Sequence, residues 1–119
     1  MNLGESLEDY LETLLLLEST GKIRCVDVAN KMSVSKPSVN KAMNVLKEKG
    51  YVLQESYGDI QLTPEGRKIA QGVYHRHETI SSFLRNVLGV SPATADEDAC
   101  HIEHMISEET FQKIEQYKK

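Results

Sequence analysis

Apolar positions along the chain recur in two different rhythms, and their order predicts its architecture. Leu7, Tyr10, Leu11, Leu14, Leu15 and Leu17 return every three or four residues, the spacing of one helix face. Ser6 stands where an N-cap is expected, and the Thr20-Gly21 step suits the helix end. Val26, Val28, Ala29 and Met32 predict a short second helix, with Asp27 near its start. After Ser33-Val34-Ser35, Pro37 sits where a first helical turn tolerates proline. That third helix turns Val39, Ala42, Met43, Val45 and Leu46 inward and ends at Gly50. The stretch YVLQESYGDIQLT then reads as two short strands about a turn at Tyr57-Gly58-Asp59. Thr63-Pro64-Glu65 starts a helix of about 25 residues through Ile69, Val73, Ile80, Phe83, Leu84 and Val87 to Gly89, with Thr63 as its cap. Two further helices fit Pro92 to Ile106 and Glu109 to Tyr117.

Helix, short helix, turn, helix and hairpin is the order of a winged helix-turn-helix. The expected fold is therefore mainly α with a small β-wing. The winged helix-turn-helix domain is expected over residues 1–71, followed by an all-α domain over residues 72–119. No apolar run approaches the roughly 20 residues of a membrane span, and no signal peptide is expected, since no basic region followed by an apolar one opens the sequence. Cys25 and Cys100 lie too far apart to suggest a disulfide framework and read as reduced thiols of a cytoplasmic protein.

Charge sharpens the division. The net charge is −4, yet residues 22–76 hold ten Lys and Arg against five Asp and Glu, a local +5. The remainder holds four against thirteen, a local −9. A basic middle between acidic ends suggests a polyanionic partner for one and a cation for the other.

The basic segment includes the front of the third helix, where Ser35, Lys36, Pro37, Ser38, Asn40 and Lys41 are expected to point outward. A recognition helix enters the major groove by that end, so double-stranded DNA is the expected partner. Hydroxyls and the helix terminus suit phosphates, Asn40 or Lys41 suits base edges, and Pro37 suits a thymine methyl. Lys22, Arg24, Lys47, Arg67 and the wing around Tyr57 are expected at backbone phosphates.

The acidic ends hold the metal chemistry. Within DACHIEHMIS, Cys100, Glu103 and His104 stand at i, i+3 and i+4, sharing one helical face. Asp9 and Glu12 are three apart on the first helix, and His77 on the long helix is a further candidate. Thiolate, imidazole and carboxylate together suit a first-row ion such as Fe²⁺, Mn²⁺, Co²⁺ or Zn²⁺ rather than Ca²⁺ or Mg²⁺. Taken alone, the triplet also fits a small buried thiol beside a solvated Glu-His pair. His75 and His101 are expected to be exposed.

SLEDYLETLLLLE, SVSKPSVNKAMNVLKEKGYV, LTPEGRKIA, YHRHE and ACHIEHMIS, in that order, resemble the diphtheria toxin repressor family of metal-dependent regulators, including its manganese-responsive branch. The resemblance runs from Ser6 to about Ser107 and is to a short form without the SH3-like third domain. It implies a homodimer joined through the C-terminal helices that represses metal-uptake genes when metal is plentiful. It places the regulatory site on Asp9, Cys100, Glu103 and His104. Asp9 is the manganese-type choice, where iron-type members often have Met. Cys100 is the iron-type choice, where the manganese branch has Glu. Glu12 and His77 match positions that help hold a second ion in the manganese branch. The iron-type ancillary site pairs the His77 position with a Glu where this chain has Ser81 and a His where it has Asp96. Because thiolate is softer than Mn²⁺ prefers, Fe²⁺ is the first expectation and Mn²⁺ the second, with Co²⁺, Ni²⁺ or Zn²⁺ able to fill the site in vitro. The alternatives are a winged-helix regulator sensing an organic ligand and a small metallohydrolase. The chain has few aromatics for a ligand cage and no separate nucleophile and base, so no enzymatic activity is expected.

Overall fold

The computed structural model describes residues 5–54 and 58–117. They form two compact units, Met1–Gln71 and Gly72–Lys119.

In the first unit, α1 (Glu5–Leu17) buries Tyr10, Leu11 and Leu14 and runs into a single 3₁₀ turn, Glu18–Thr20. Ser6, expected as the cap, lies within α1 rather than ahead of it. Gly21 follows at φ 113°, a conformation that favours glycine. In α2 (Cys25–Met32), Asp27 accepts the Arg24 backbone N–H at 2.9 Å, satisfying a group that the helix start leaves over. The turn after α2 passes through Ser33 at φ 57°, the left-handed region that a short polar residue visits more cheaply than a β-branched one.

Helix α3 (Lys36–Glu48) is capped by Ser35, whose Oγ accepts the Ser38 N–H at 3.2 Å. It buries Val39, Ala42, Met43 and Leu46, while Val45 is half-buried. Strands β1 (Val52–Gln54) and β2 (Ile60–Leu62) pair antiparallel, with Leu53 opposite Gln61. Val52, Ile60 and Leu62 turn into the core shared by α1, α2 and α3, whereas Leu53 faces out.

Helix α4 (Pro64–Asn86) begins where Thr63 Oγ1 accepts the Gly66 N–H at 3.0 Å and donates to the Gly50 carbonyl at 2.7 Å. A Cβ on Gly66 would lie 2.0 Å from the Tyr51 carbonyl oxygen, so glycine is required where α4 passes that backbone. Glu18 receives two hydrogen bonds from Arg67, tying the turn after α1 to the first turns of α4.

The second unit has its own small core of Ile80, Ala99 and Phe111, flanked by Leu84, Ile102 and Ile106. Helix α5 (Pro92–Met105) starts on a proline, and α6 (Glu108–Gln116) is capped by Ser107, whose Oγ accepts the Thr110 N–H at 3.1 Å. Arg76 joins all three helices of this unit. It donates to the Glu103 carbonyl at 3.4 Å and to Glu108 at 2.8 Å, and lies 5.6 Å from the Phe111 ring centroid.

Candidate metal centre and nucleic-acid interface

Each unit gathers one part of the chemistry. In the second unit, His77 projects from the middle of α4 and is 8% exposed, while α5 supplies Asp96, Cys100, Glu103 and His104. Asp96 and Cys100 are one helical turn apart, as are Cys100 and His104, which is why α5 can present all of these donors beside one histidine.

The geometry centres on the imidazole. His77 Nε2 lies 2.6 Å from Asp96 Oδ1, and Nδ1 lies 2.9 Å from Glu103 Oε2 and 3.7 Å from Cys100 Sγ. His104 Nε2 in turn is 3.1 Å from Glu103 Oε1. The Glu103 and His104 side chains are each 1% exposed, and burying a carboxylate in this way is costly unless it is paired.

This arrangement has a simple consequence. A neutral imidazole carries one N–H and one lone pair, yet both nitrogens of His77 face a carboxylate. The second contact needs another proton or a cation. Ligand atoms of His77, Asp96 and Cys100 all lie within 4.8 Å of one another, and imidazole, carboxylate and thiolate form a donor set suited to a divalent first-row metal. The residues fit such an ion.

Of the six residues expected to bind metal, the structure brings His77, Cys100, Glu103 and His104 together in the second unit. Asp9 and Glu12 lie on α1, half-buried and on the same helical face. Asp96, which meets His77, was not among the expected residues. The signal available in sequence was its four-residue spacing from Cys100, but its proximity to His77 depends on how α4 and α5 pack. Ser81, one turn beyond His77, is buried and offers only a hydroxyl. His75 and His101 are exposed, and His75 pairs with Glu115 rather than joining the cluster.

In the first unit, Ser35, Lys36, Pro37, Ser38, Asn40, Lys41 and Lys47 are all exposed along α3. Ser35 and Ser38 share a hydroxyl–hydroxyl contact of 2.9 Å in addition to the cap. The Asn40 carbonyl oxygen is engaged by the Cys25 thiol at 3.1 Å, so this side chain is held rather than free. Arg67, expected at a phosphate, is paired with Glu18 in this structure, which raises the guanidinium pKa still further. Lys22 extends into solvent 3.8 Å from Asp59. Tyr57 lies outside the described residues. No helix among the described residues is long and apolar enough to cross a membrane.

Comparison with known proteins covers both units. Residues 2–60 match the model of the iron dependent repressor N-terminal DNA binding domain, and residues 63–119 match that of its metal binding and dimerisation domain. The chain is 39% identical over 110 residues to the HTH-type transcriptional regulator MntR of Geobacillus kaustophilus, covering 92% of this chain and 77% of that protein. Among solved structures, the manganese regulator SloR superposes with a TM-score of 0.81 at 31% identity, covering 92% of this chain and 52% of SloR. A manganese-dependent transcriptional repressor in complex with manganese gives 0.83 at 27%, covering 91% and 50%. The chain thus spans about half the length of the solved structures it matches.

Proposed function

Since the chain belongs to the iron dependent repressor family, we propose that it is a metal-dependent repressor that binds double-stranded operator DNA as a homodimer and controls metal-uptake genes in the cytoplasm. The observation that carries this reading is the placement of His77 between two carboxylates, with a thiol and a second imidazole alongside. Such a cluster is costly to hold without a cation and well matched to one.

His77, Cys100, Glu103 and His104 supply four donors from the second unit. Asp9 and Glu12 on α1 are proposed to complete the set from the first. An ion held by ligands of both units couples metal occupancy to the placement of each α3 in the dimer. Half-sites on DNA are spaced by a helical turn, so such coupling decides whether both reading helices dock at once. A coupling free energy of about 1–3 kcal/mol corresponds to a roughly 5- to 150-fold change in affinity. When bound, the ion supplies positive charge and fixed coordination. The residues named above would hold it. On this reading the ion is a regulatory ligand and the chain catalyses no reaction.

Cys100 favours Fe²⁺ as the physiological metal, because thiolate is a soft ligand. Mn²⁺, the metal by which both solved relatives are named, is the second candidate. Dimerisation through the second unit is supported by apolar side chains left in solvent there, Met105 at 80% and Leu88 at 61% exposure.

The test is a gel-shift titration on the DNA upstream of the chain's own gene, using chelator-stripped protein with and without added Fe²⁺ or Mn²⁺ at fixed salt. The loaded protein is expected to bind at least fivefold more tightly. Equal affinity of stripped and loaded protein removes the metal switch.

A further inference from the structure

A second arrangement concerns how α3 reads DNA. Cys25, the first residue of α2, sits half-buried between two amide side chains from different elements. Gln54, at the end of β1, donates through Nε2 to the Gly58 carbonyl at 3.1 Å and to Cys25 Sγ at 3.7 Å. The Gly58 contact fixes which end of the Gln54 amide is the donor, since a carbonyl only accepts. The sulfur therefore accepts from Gln54, and on its other side it donates its proton to Asn40 Oδ1 at 3.1 Å. The relay runs from wing amide to thiol and from thiol to carbonyl oxygen.

We propose that Cys25 is a positioning residue for base reading, holding the Asn40 carboxamide with its oxygen turned inward and its amino group outward. The proposal rests on the DNA-binding reading above. An asparagine that reads adenine uses both ends of its amide, accepting from N6 and donating to N7. With Oδ1 occupied, Asn40 offers only the two N–H donors of Nδ2. Guanine matches that offer, because its major-groove edge presents two acceptors, O6 and N7. The groove around the relay is lined also by Arg24, Lys36, Asn44 and Lys47, with no acidic side chain among the described residues that line it. Cations bring the phosphate backbone to that groove without reading sequence, leaving the discrimination to Asn40.

The experiment is selection from a randomised duplex DNA library by the metal-loaded full chain and three variants. Asn40→Ala identifies the base pair, as the position whose preference it erases. At that position the wild type is expected to select guanine. Cys25→Ala frees the amide to turn and bind adenine with both ends, so the guanine-to-adenine ratio is expected to fall roughly three- to tenfold, the worth of one net hydrogen bond. Cys25→Ser keeps a donor in place and is expected to keep the ratio. The slope of affinity against salt is expected to stay unchanged in all three, since none carries a phosphate-binding charge. A wild-type ratio in Cys25→Ala, or an affinity loss spread evenly over all sequences, overturns the positioning role. If Asn40→Ala changes no position, the base-reading role falls with it. A wild type that selects no sequence at all removes the DNA-binding reading itself, a result distinguishable from the other two.

Discussion

His77 and Asp96 meet across two helices at 2.6 Å, although one side chain is buried and the other is largely in solvent. An exposed carboxylate gains little from such a pair by itself, because water screens the interaction. Its value lies in what it adds to the buried end, where the same imidazole also faces Glu103.

Asp96→Ala is therefore expected to separate binding from folding. Thermal stability of the stripped protein should change by no more than about 0.5 kcal/mol, as for other exposed sites. Affinity for Mn²⁺ measured by calorimetry should fall about tenfold or more, the usual effect of losing a group that holds a ligating histidine. An unaltered affinity would mark Asp96 as an ordinary surface acid.

Cys100 offers a handle on metal choice. Replacing its sulfur by a carboxylate, Cys100→Glu, exchanges a soft donor for a hard one. Competition titrations with Mn²⁺ and Co²⁺ are expected to shift toward Mn²⁺ in the variant, with little effect on stability because the site is exposed. No shift in the competition would show that Cys100 does not coordinate the ion.

Gly66 and Gly72 lie on the same helix and predict opposite outcomes. Gly66→Ala places a methyl against the Tyr51 carbonyl at 2.0 Å, which backbone cannot yield cheaply, and is expected to cost about 1–3 kcal/mol. Gly72→Ala meets nothing within 4 Å and is expected to stabilise α4 by up to about 1 kcal/mol. Thermal melts at roughly 4 °C per kcal/mol resolve both. Equal melting temperatures for the two variants would refute the close approach.

Lys36→Ala and Lys47→Ala probe the charged face of α3. Each is expected to weaken binding to all duplexes alike and to lower the slope of log affinity against log salt by about 1 per lost phosphate contact. A change of sequence preference without a change of slope would instead place these lysines at bases.

Much of the fold was legible because its punctuation is local. Thr63-Pro64 and Ser35 act within one helical turn, and the inward face of α3 follows directly from its apolar spacing. Element ends were less legible: Ser6 has the right chemistry for a cap, yet it lies within α1. The site divides in the same way. Cys100, Glu103 and His104 announce themselves by i, i+3, i+4 spacing on one helix. The pairing of Arg67 with Glu18, 49 positions away, and the tie between Cys25 and Asn40 are products of packing between elements. No local window contains both partners.

The hydroxyls at the front of α3 are already engaged before any duplex arrives: Ser35 holds Ser38, and Asn40 is held from behind. Side chains fixed in this way have little rotational freedom left to surrender on docking, an ordering cost of about 0.5–1.5 kcal/mol for each mobile side chain. If α3 meets DNA by this edge as proposed, three such groups on one short surface present it with a template largely arranged at folding rather than at encounter.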